Sequence, residues 1–236
     1  MSNKVAIVTG ASKGIGKAIA EKLASQHIHL VLSSRSKSDL LDQKQGLEEK
    51  YGITCRIYPF DLGQKDQVIQ FANEILRDFN QIDILVNNVG VFLPGASTHE
   101  EDDTILEVQM NVNLMSGYYL TKRIIPVMKQ QKSGHIFNMC SVASIQAYPS
   151  GGSYCISKFA QYGMTKVLRE EMKPFGIKVS AILPGATYTS SWEGSDLPEN
   201  RLIKPEDVAE SLWSAYALSS RAVVEEIIVR PQLGDI

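Results

Sequence analysis

Residues 4–16, KVAIVTGASKGIG, begin as an apolar, β-rich run and end in a glycine-rich turn, Thr9-Gly10-Ala11-Ser12-Lys13-Gly14-Ile15-Gly16, that leads into a helical pattern from about Gly14. Glycines let a backbone turn tightly and approach a pyrophosphate, and the free N–H groups at the positive end of a helix favour anionic charge. A strand before and a helix after is the context in which such a turn holds a nucleotide. Gly10, Ser12, Lys13, Gly14, Ile15 and Gly16 are the first candidate contacts. The spacing is G-x3-G-x-G rather than G-x-G-x-x-G, so a strand-to-helix turn that happens to be glycine-rich is the plainer alternative for these residues alone.

Outward from this stretch the same alternation continues. Short apolar runs occur at 4 to 9, 29 to 34, 55 to 60, 82 to 88, 135 to 141, 178 to 183 and 226 to 229. Helical patterns lie between them, near 14 to 26, 38 to 50, 65 to 79, 101 to 131, 152 to 173 and 205 to 218. Strand and helix alternating throughout implies βαβ crossovers and a parallel sheet covered on both faces, a doubly wound α/β fold. With 236 residues and no linker-like segment, one domain spanning 1–236 is expected. Ligands bind such sheets beyond the carboxyl ends of the strands, so the residues after each strand are the place to look for chemistry.

After the second strand come Ser34, Arg35 and Ser36. An acid here would bond a ribose 2′-hydroxyl, whereas an arginine accommodates a 2′-phosphate. With Lys13 available from the first loop, and Asp39 assigned to the start of the next helix, NADP(H) is favoured over NAD(H). Without the glycine loop, Arg35 and Lys13 would read as solvated surface charge. Asp61 and Leu62 follow the third strand, and Asn87, Asn88, Val89 and Gly90 the fourth. A carboxylate there can accept from an adenine amino group and the asparagines can cap a helix or bond nearby backbone; both readings stay open.

A second set of polar residues lies further along. Ser141 ends the fifth strand, Tyr154 and Lys158 fall in the first turns of the following helix, and Asn113 lies inside the long helix before it. Positions four apart share a helix face, so Tyr154 and Lys158 project together. A phenol of pKa near ~10 becomes a better proton shuttle when an ammonium nearby favours its phenolate. Ser141 would donate to a substrate oxygen while charge develops on it. Taken alone, Tyr-x3-Lys is a weak signal in a chain with 9 tyrosines, and an aromatic beside a solvated lysine explains it as well.

Composition removes several classes. A net charge of -2 gives no reason to expect a nucleic acid or an anionic membrane as partner. The 3 cysteines, Cys55, Cys140 and Cys155, form no CxxC pair, which suits a reducing compartment. The 4 histidines are scattered without ligand spacing, so no metal is expected. No apolar run approaches the ~18 residues of a membrane span, and MSNKVAIVTG lacks the pattern of a secretory signal; a cytoplasmic location is expected.

Taken together and in order, TGASKGIG, NNVG, Asn113 in NVNL, Ser141, Tyr154-x3-Lys158 and Pro184-Gly185-x3-Thr189 resemble the short-chain dehydrogenase/reductase family over nearly the whole chain. The resemblance implies a Rossmann-type three-layer sandwich with a seven-stranded parallel sheet and a Ser141-Tyr154-Lys158 catalytic set. It implies that Asn113 helps hold a water linking Lys158 to solvent. It also places Pro184, Gly185, Thr187 and Thr189 against the nicotinamide, and Tyr154 and Lys158 among the cofactor contacts. Two departures stand out: Val89 replaces the alanine of the common NNAG, and the end, EEIIVRPQLGDI, lacks the Asp-Gly-Gly frequent in oxoacyl reductases.

Within the family, VLSSRS, YCISKFAQ, PGATYTSSW and VVEEIIVRPQLGDI are most similar to bacterial sepiapterin-reductase-like members, which implies an NADPH-dependent reductase of ketones or diketones, including a pterin side chain. Alternatives are an oxoacyl or secondary-alcohol oxidoreductase and, from another class, a non-catalytic NADP(H) sensor. Residues 187 to 202 have the small and polar composition of a lid, in which Tyr188 and Trp192 would line an apolar pocket and Glu193 or Asp196 would be either a substrate anchor or solvated charge. Residues 101 to 131 and 152 to 173 carry long apolar faces, and the resemblance implies that these helices pair across a two-fold axis in a homodimer or homotetramer; packing against the sheet alone is the alternative use of those faces.

Overall fold

The computed structural model describes residues 4–93, 97–189 and 197–235. Seven strands form one sheet: β1 (Val5–Thr9), β2 (His29–Ser34), β3 (Cys55–Pro59), β4 (Ile84–Asn87), β5 (Gly134–Met139), β6 (Ile177–Pro184) and β7 (Glu226–Val229). Their order is β3-β2-β1-β4-β5-β6-β7. Every pairing is parallel. The helices between them are α1 (Gly14–Ser25), α2 (Lys37–Tyr51), α3 (Lys65–Asp78), α4 (Asp103–Met110), α5 (Ser116–Gln131), α6 (Gly152–Met172) and α7 (Pro205–Tyr216).

The strands read as continuous apolar runs because both faces are covered. Side chains alternate across the sheet. Ala6, Val8, Leu30, Leu32, Ile84 and Val86 pack on one face with Ile19 and Leu23 of α1, Leu40 of α2 and Leu212 of α7. Val5, Ile7, Val31 and Leu85 pack on the other with Phe71 of α3, Leu120 and Ile124 of α5, and Met172 of α6. Each large aliphatic side chain removed from water in this way contributes about 1.5–3 kcal/mol.

Strand order reverses between β1 and β4, and the ends of these two strands are tied together. The Asn88 side-chain amide donates to the Thr9 carbonyl (2.9 Å) and the Gly10 carbonyl (3.2 Å). Thr9 Oγ1 accepts from the backbone N–H groups of Asn88 (2.9 Å) and Val89 (3.0 Å). Gly10 has a positive φ of 63°, and a Cβ at Gly16 would stand 2.2 Å from the Gly10 carbonyl oxygen. The glycines of the first turn thus let α1 start directly against the end of β1.

The expected single helix over 101 to 131 is interrupted. A five-residue π-turn, Asn111–Met115, separates α4 from α5. The widened turn puts Asn113 where its Oδ1 accepts from Val91 N–H (2.7 Å) and its Nδ2 donates to the Val91 carbonyl (3.0 Å) and to Ser157 Oγ (2.9 Å). Such insertions frequently mark functional sites, and hydrophobic periodicity does not reveal them. Among the described residues, no helix is long and apolar enough to cross a membrane.

Candidate active site

A groove of about 690 Å³ runs over the carboxyl ends of β1 to β4. The first turn lines it with Gly10, Ser12, Lys13, Gly14 and Ile15. Ser34, Arg35 and Ser36 reach it from the end of β2, where Ser36 also caps α2 by accepting from Asp39 N–H (3.3 Å). Asp61 and Leu62 enter from β3, and Val89 and Gly90 from β4. Asp39, assigned from sequence to the next helix, lies in its first turn and faces the groove as well.

Two of the expected nucleotide contacts fall outside it. Gly16 is buried inside α1, where its missing side chain serves packing against Gly10. Asn87 is 2% exposed and donates to Thr121 Oγ1 and Asn138 Oδ1, both at 2.8 Å. The pleat explains the placement: Asn87 continues the inward face of Leu85, and its neighbour Asn88 is the one that turns to the ligand edge.

A second cavity of about 510 Å³ opens beyond the ends of β4, β5 and β6. Ile15, Asn88, Gly90, Val91 and Thr189 line both, so the two are continuous. Here the structure brings together Ser141, Tyr154 and Lys158, with Pro184, Gly185 and Thr187 on the β6 side. Ser141 follows β5 and caps a 3-10 turn, Val142–Ser144, by accepting from Ala143 N–H (3.1 Å). Tyr154 and Lys158 stand on the first turns of α6. The start of that helix is held from a distance: Ser153 N–H donates to the Glu101 carboxylate (3.1 Å), and the Ser153 hydroxyl donates to it too. Carboxylate at a helix N-terminus satisfies donors that have no intrahelical partner.

Burial raises the Tyr154 phenol above its usual value, with the neighbouring Ser141 hydroxyl pulling the other way. The Lys158 ammonium, expected from sequence to favour the phenolate, makes no hydrogen bond to the phenol among the described residues. The ammonium lies 5.9 Å from the Tyr154 ring centroid and donates instead to the Met139 carbonyl (2.9 Å) and Gln161 Oε1 (3.0 Å). Burial pushes Lys158 down to about 8. A Cβ at Gly90 would come within 3.3 Å of Asn113 Oδ1 and 3.6 Å of Lys158 Nζ, so the glycine leaves room for both groups. Asn113 itself is 1% exposed, lies behind this point and lines neither cavity.

Phe92, Gln146, Tyr148 and Asp235 complete the wall, and sequence reasoning passed over all four. Arg230 joins the last of them to the site by donating to the carboxylate of Asp235. None carries a spacing signal, because two loops and the C-terminal segment bring them in. Asn88 and Gln161 did stand in quoted motifs, and strand or helix register would have found them.

The expected lid divides. Thr187 forms a parallel bridge with Ile203, and Tyr188 N–H donates to the Ile203 carbonyl (2.8 Å), so its base is pinned to the start of α7. Tyr188 lies beside Lys13, Lys17 and Tyr51 on the outer side of α1 and does not line the cavity that holds Tyr154. Trp192, Glu193 and Asp196 lie outside the described residues.

Fold and site define a doubly wound, Rossmann-type α/β protein whose switch-point groove runs into a Ser-Tyr-Lys cavity. Residues 4–199 match the short chain dehydrogenase family. The chain is 37% identical to a sepiapterin reductase of Chlorobaculum tepidum, the match covering 98% of each. Its structure is similar to an alcohol dehydrogenase from the archaeon Thermococcus sibiricus complexed with 5-hydroxy-NADP, with a TM-score of 0.91 at 26% identity over 99% of this chain and 98% of that one. It is also similar to a metagenomic short-chain oxidoreductase in complex with NADP, with a TM-score of 0.86 at 31% identity over 98% of each chain. The chain belongs to the short-chain dehydrogenase/reductase family and is an oxidoreductase.

Proposed function

We propose that the chain is an NADPH-dependent carbonyl reductase whose substrate is a ketone or diketone, the side-chain ketone of a pterin among them. The observation that carries this reading is the meeting of Ser141, Tyr154 and Lys158 in one cavity that is continuous with a groove whose far end holds Arg35 and Lys13. The likeness to a sepiapterin reductase over 98% of both chains supports the substrate class. The groove fits a dinucleotide: its turn is built from Gly10 and Gly14, both at positive φ, and its basic residues sit where a 2′-phosphate would lie.

Bound NADPH supplies the hydride. Ser141 holds the substrate oxygen as a hydroxyl donor, and Tyr154 delivers its proton to that oxygen as charge develops there. A phenol kept protonated by burial is suited to this direction of transfer. Lys158 binds ribose hydroxyls and favours the phenolate left behind, and Asn113 belongs to the path that returns a proton through Lys158. Phe92 and Tyr148 shape the apolar side of the substrate space.

NADPH oxidation by the purified protein over a panel of pterin ketones, diketones and acyl thioesters, run beside NADH, tests the reading. Turnover of thioesters alone would overturn the substrate class. Full ketone reduction by Tyr154→Phe would overturn the proton donor.

We also infer a cytoplasmic homodimer or homotetramer. Tyr118 of α5 and Ile156, Phe159 and Val167 of α6 leave apolar side chains 43 to 57% exposed on neighbouring helices, a face suited to a second copy of the chain.

A further inference from the structure

Gln161 lies one helical turn beyond Lys158 on α6 and is 1% exposed. Its side-chain carbonyl accepts from the ammonium of Lys158, 3.0 Å away. The only other acceptor that the ammonium meets among the described residues is the Met139 carbonyl at 2.9 Å. An ammonium has three protons to place. Two therefore go to fixed protein oxygens, and one is left for the cavity that Lys158 lines.

We propose that Gln161 is a positioning residue for Lys158: its side-chain carbonyl, with that of the Met139 backbone, holds the lysine as a cation at one place and leaves a single proton free to meet a cofactor hydroxyl. The geometry has a chemical reason. A buried cation without acceptors sheds its proton, whereas one hydrogen-bonded to neutral oxygens keeps it. The groups that could contribute charge of their own are Cys140 at the end of β5, Tyr154 on the same helix, and Tyr148 and Asp235 on the cavity wall. Cys140 and Tyr148 are pushed up by burial, to about 11 and about 12, so both are neutral over the range in which Lys158 titrates. Asp235 is engaged by Arg230. The neutral Gln161 oxygen is thus the nearest side-chain group that stabilises the charge.

The role of Lys158 toward the cofactor rests on the reading proposed above, but the titration of its ammonium does not. The test is therefore made first without cofactor. In protein labelled with 13Cε-lysine, the Lys158 signal, assigned by its loss in Lys158→Met, is followed against pH in the wild type, in Gln161→Met and in Gln161→Glu. Removing the acceptor in Gln161→Met is expected to lower the midpoint by about one unit, and the carboxylate of Gln161→Glu to raise it by about as much. A merely structural amide would move both variants in one direction or neither. Midpoints unmoved in two folded variants, as judged by thermal unfolding, would overturn the proposal.

NADPH affinity, read by fluorescence, is expected to fall about tenfold in Gln161→Met, with its alkaline limb displaced in step with the lysine midpoint. If the midpoints move in opposite directions but the wild type reduces no carbonyl, it is the reductase reading that fails and the positioning role that stands.

Discussion

The ring of Phe92 meets the ring of Tyr154 edge-on, with centroids 5.0 Å apart and planes at 85°. Phe92 is 43% exposed, so one side of it faces water while the other closes the cavity over the phenol. An edge-to-face pair contributes about 0.5–1.5 kcal/mol beyond buried area. Phe92→Ala is expected to raise KM for a ketone about two- to tenfold and to leave NADPH affinity unchanged, with steady-state kinetics and a cofactor titration as the measurements. A loss of cofactor affinity as large as the rise in KM would place Phe92 in the wrong cavity.

Arg35 stands exposed at the end of β2 with Ser34 and Ser36 beside it in the groove. A guanidinium that meets a 2′-phosphate makes charge-assisted bonds that a 2′-hydroxyl cannot. Arg35→Ser should raise KM for NADPH about tenfold and leave that for NADH nearly unchanged, and the difference should shrink as salt is added. Equal effects on both cofactors would assign Arg35 to some other task.

His135 is buried on β5, stacked on Phe137 with centroids 3.9 Å apart, and paired through Nε2 to Ser180 Oγ at 2.8 Å. Ser180 donates its own proton to the Val224 carbonyl, so it can only accept from the imidazole, while Nδ1 has no partner. Protonating Nδ1 would bury a charge with nothing to receive it, and burial pushes this histidine from 6.5 down to about 3. The unfolded chain then takes up the proton first, so stability is full above about pH 6.5 and falls toward pH 3 at about 1.4 kcal/mol per unit. His135→Phe should flatten that part of the slope, measured as urea midpoints at several pH values. An unchanged slope would mean that other groups carry the acid response.

Phe159 and Ile156 project from α6 on the side away from the sheet, each 44% exposed. A carboxylate placed on a face that a second copy covers would be desolvated without a partner. Phe159→Asp is expected to convert the assembly to monomer in light scattering at micromolar concentration. A wild type already monomeric there would remove the oligomer from the reading.

Much of the architecture was legible because its signals are local. The alternation of apolar runs with helical patterns needs only residue types at periods of two and of three to four, and Val5–Thr9 and His29–Ser34 emerge within one residue of the runs read from sequence. The π-turn at Asn111–Met115 was not legible, since the contact it makes, Asn113 with Val91, is to another segment of the chain. The same holds for Glu101, which reaches α6 from 52 positions away in the chain.

By itself the sequence determined the strand-to-helix turn at Gly10–Gly16, the doubly wound class and the pairing of Tyr154 with Lys158 on one helix face, because each depends on chain-local geometry. The tertiary structure alone decided that Phe92 and Asp235 wall the cavity and that Lys158 donates to the Met139 carbonyl of a neighbouring strand rather than turning to the phenol. The physical reason is burial. Which groups lose water, and which oxygen then receives a buried proton, is settled by how distant segments pack, and no spacing along the chain encodes it.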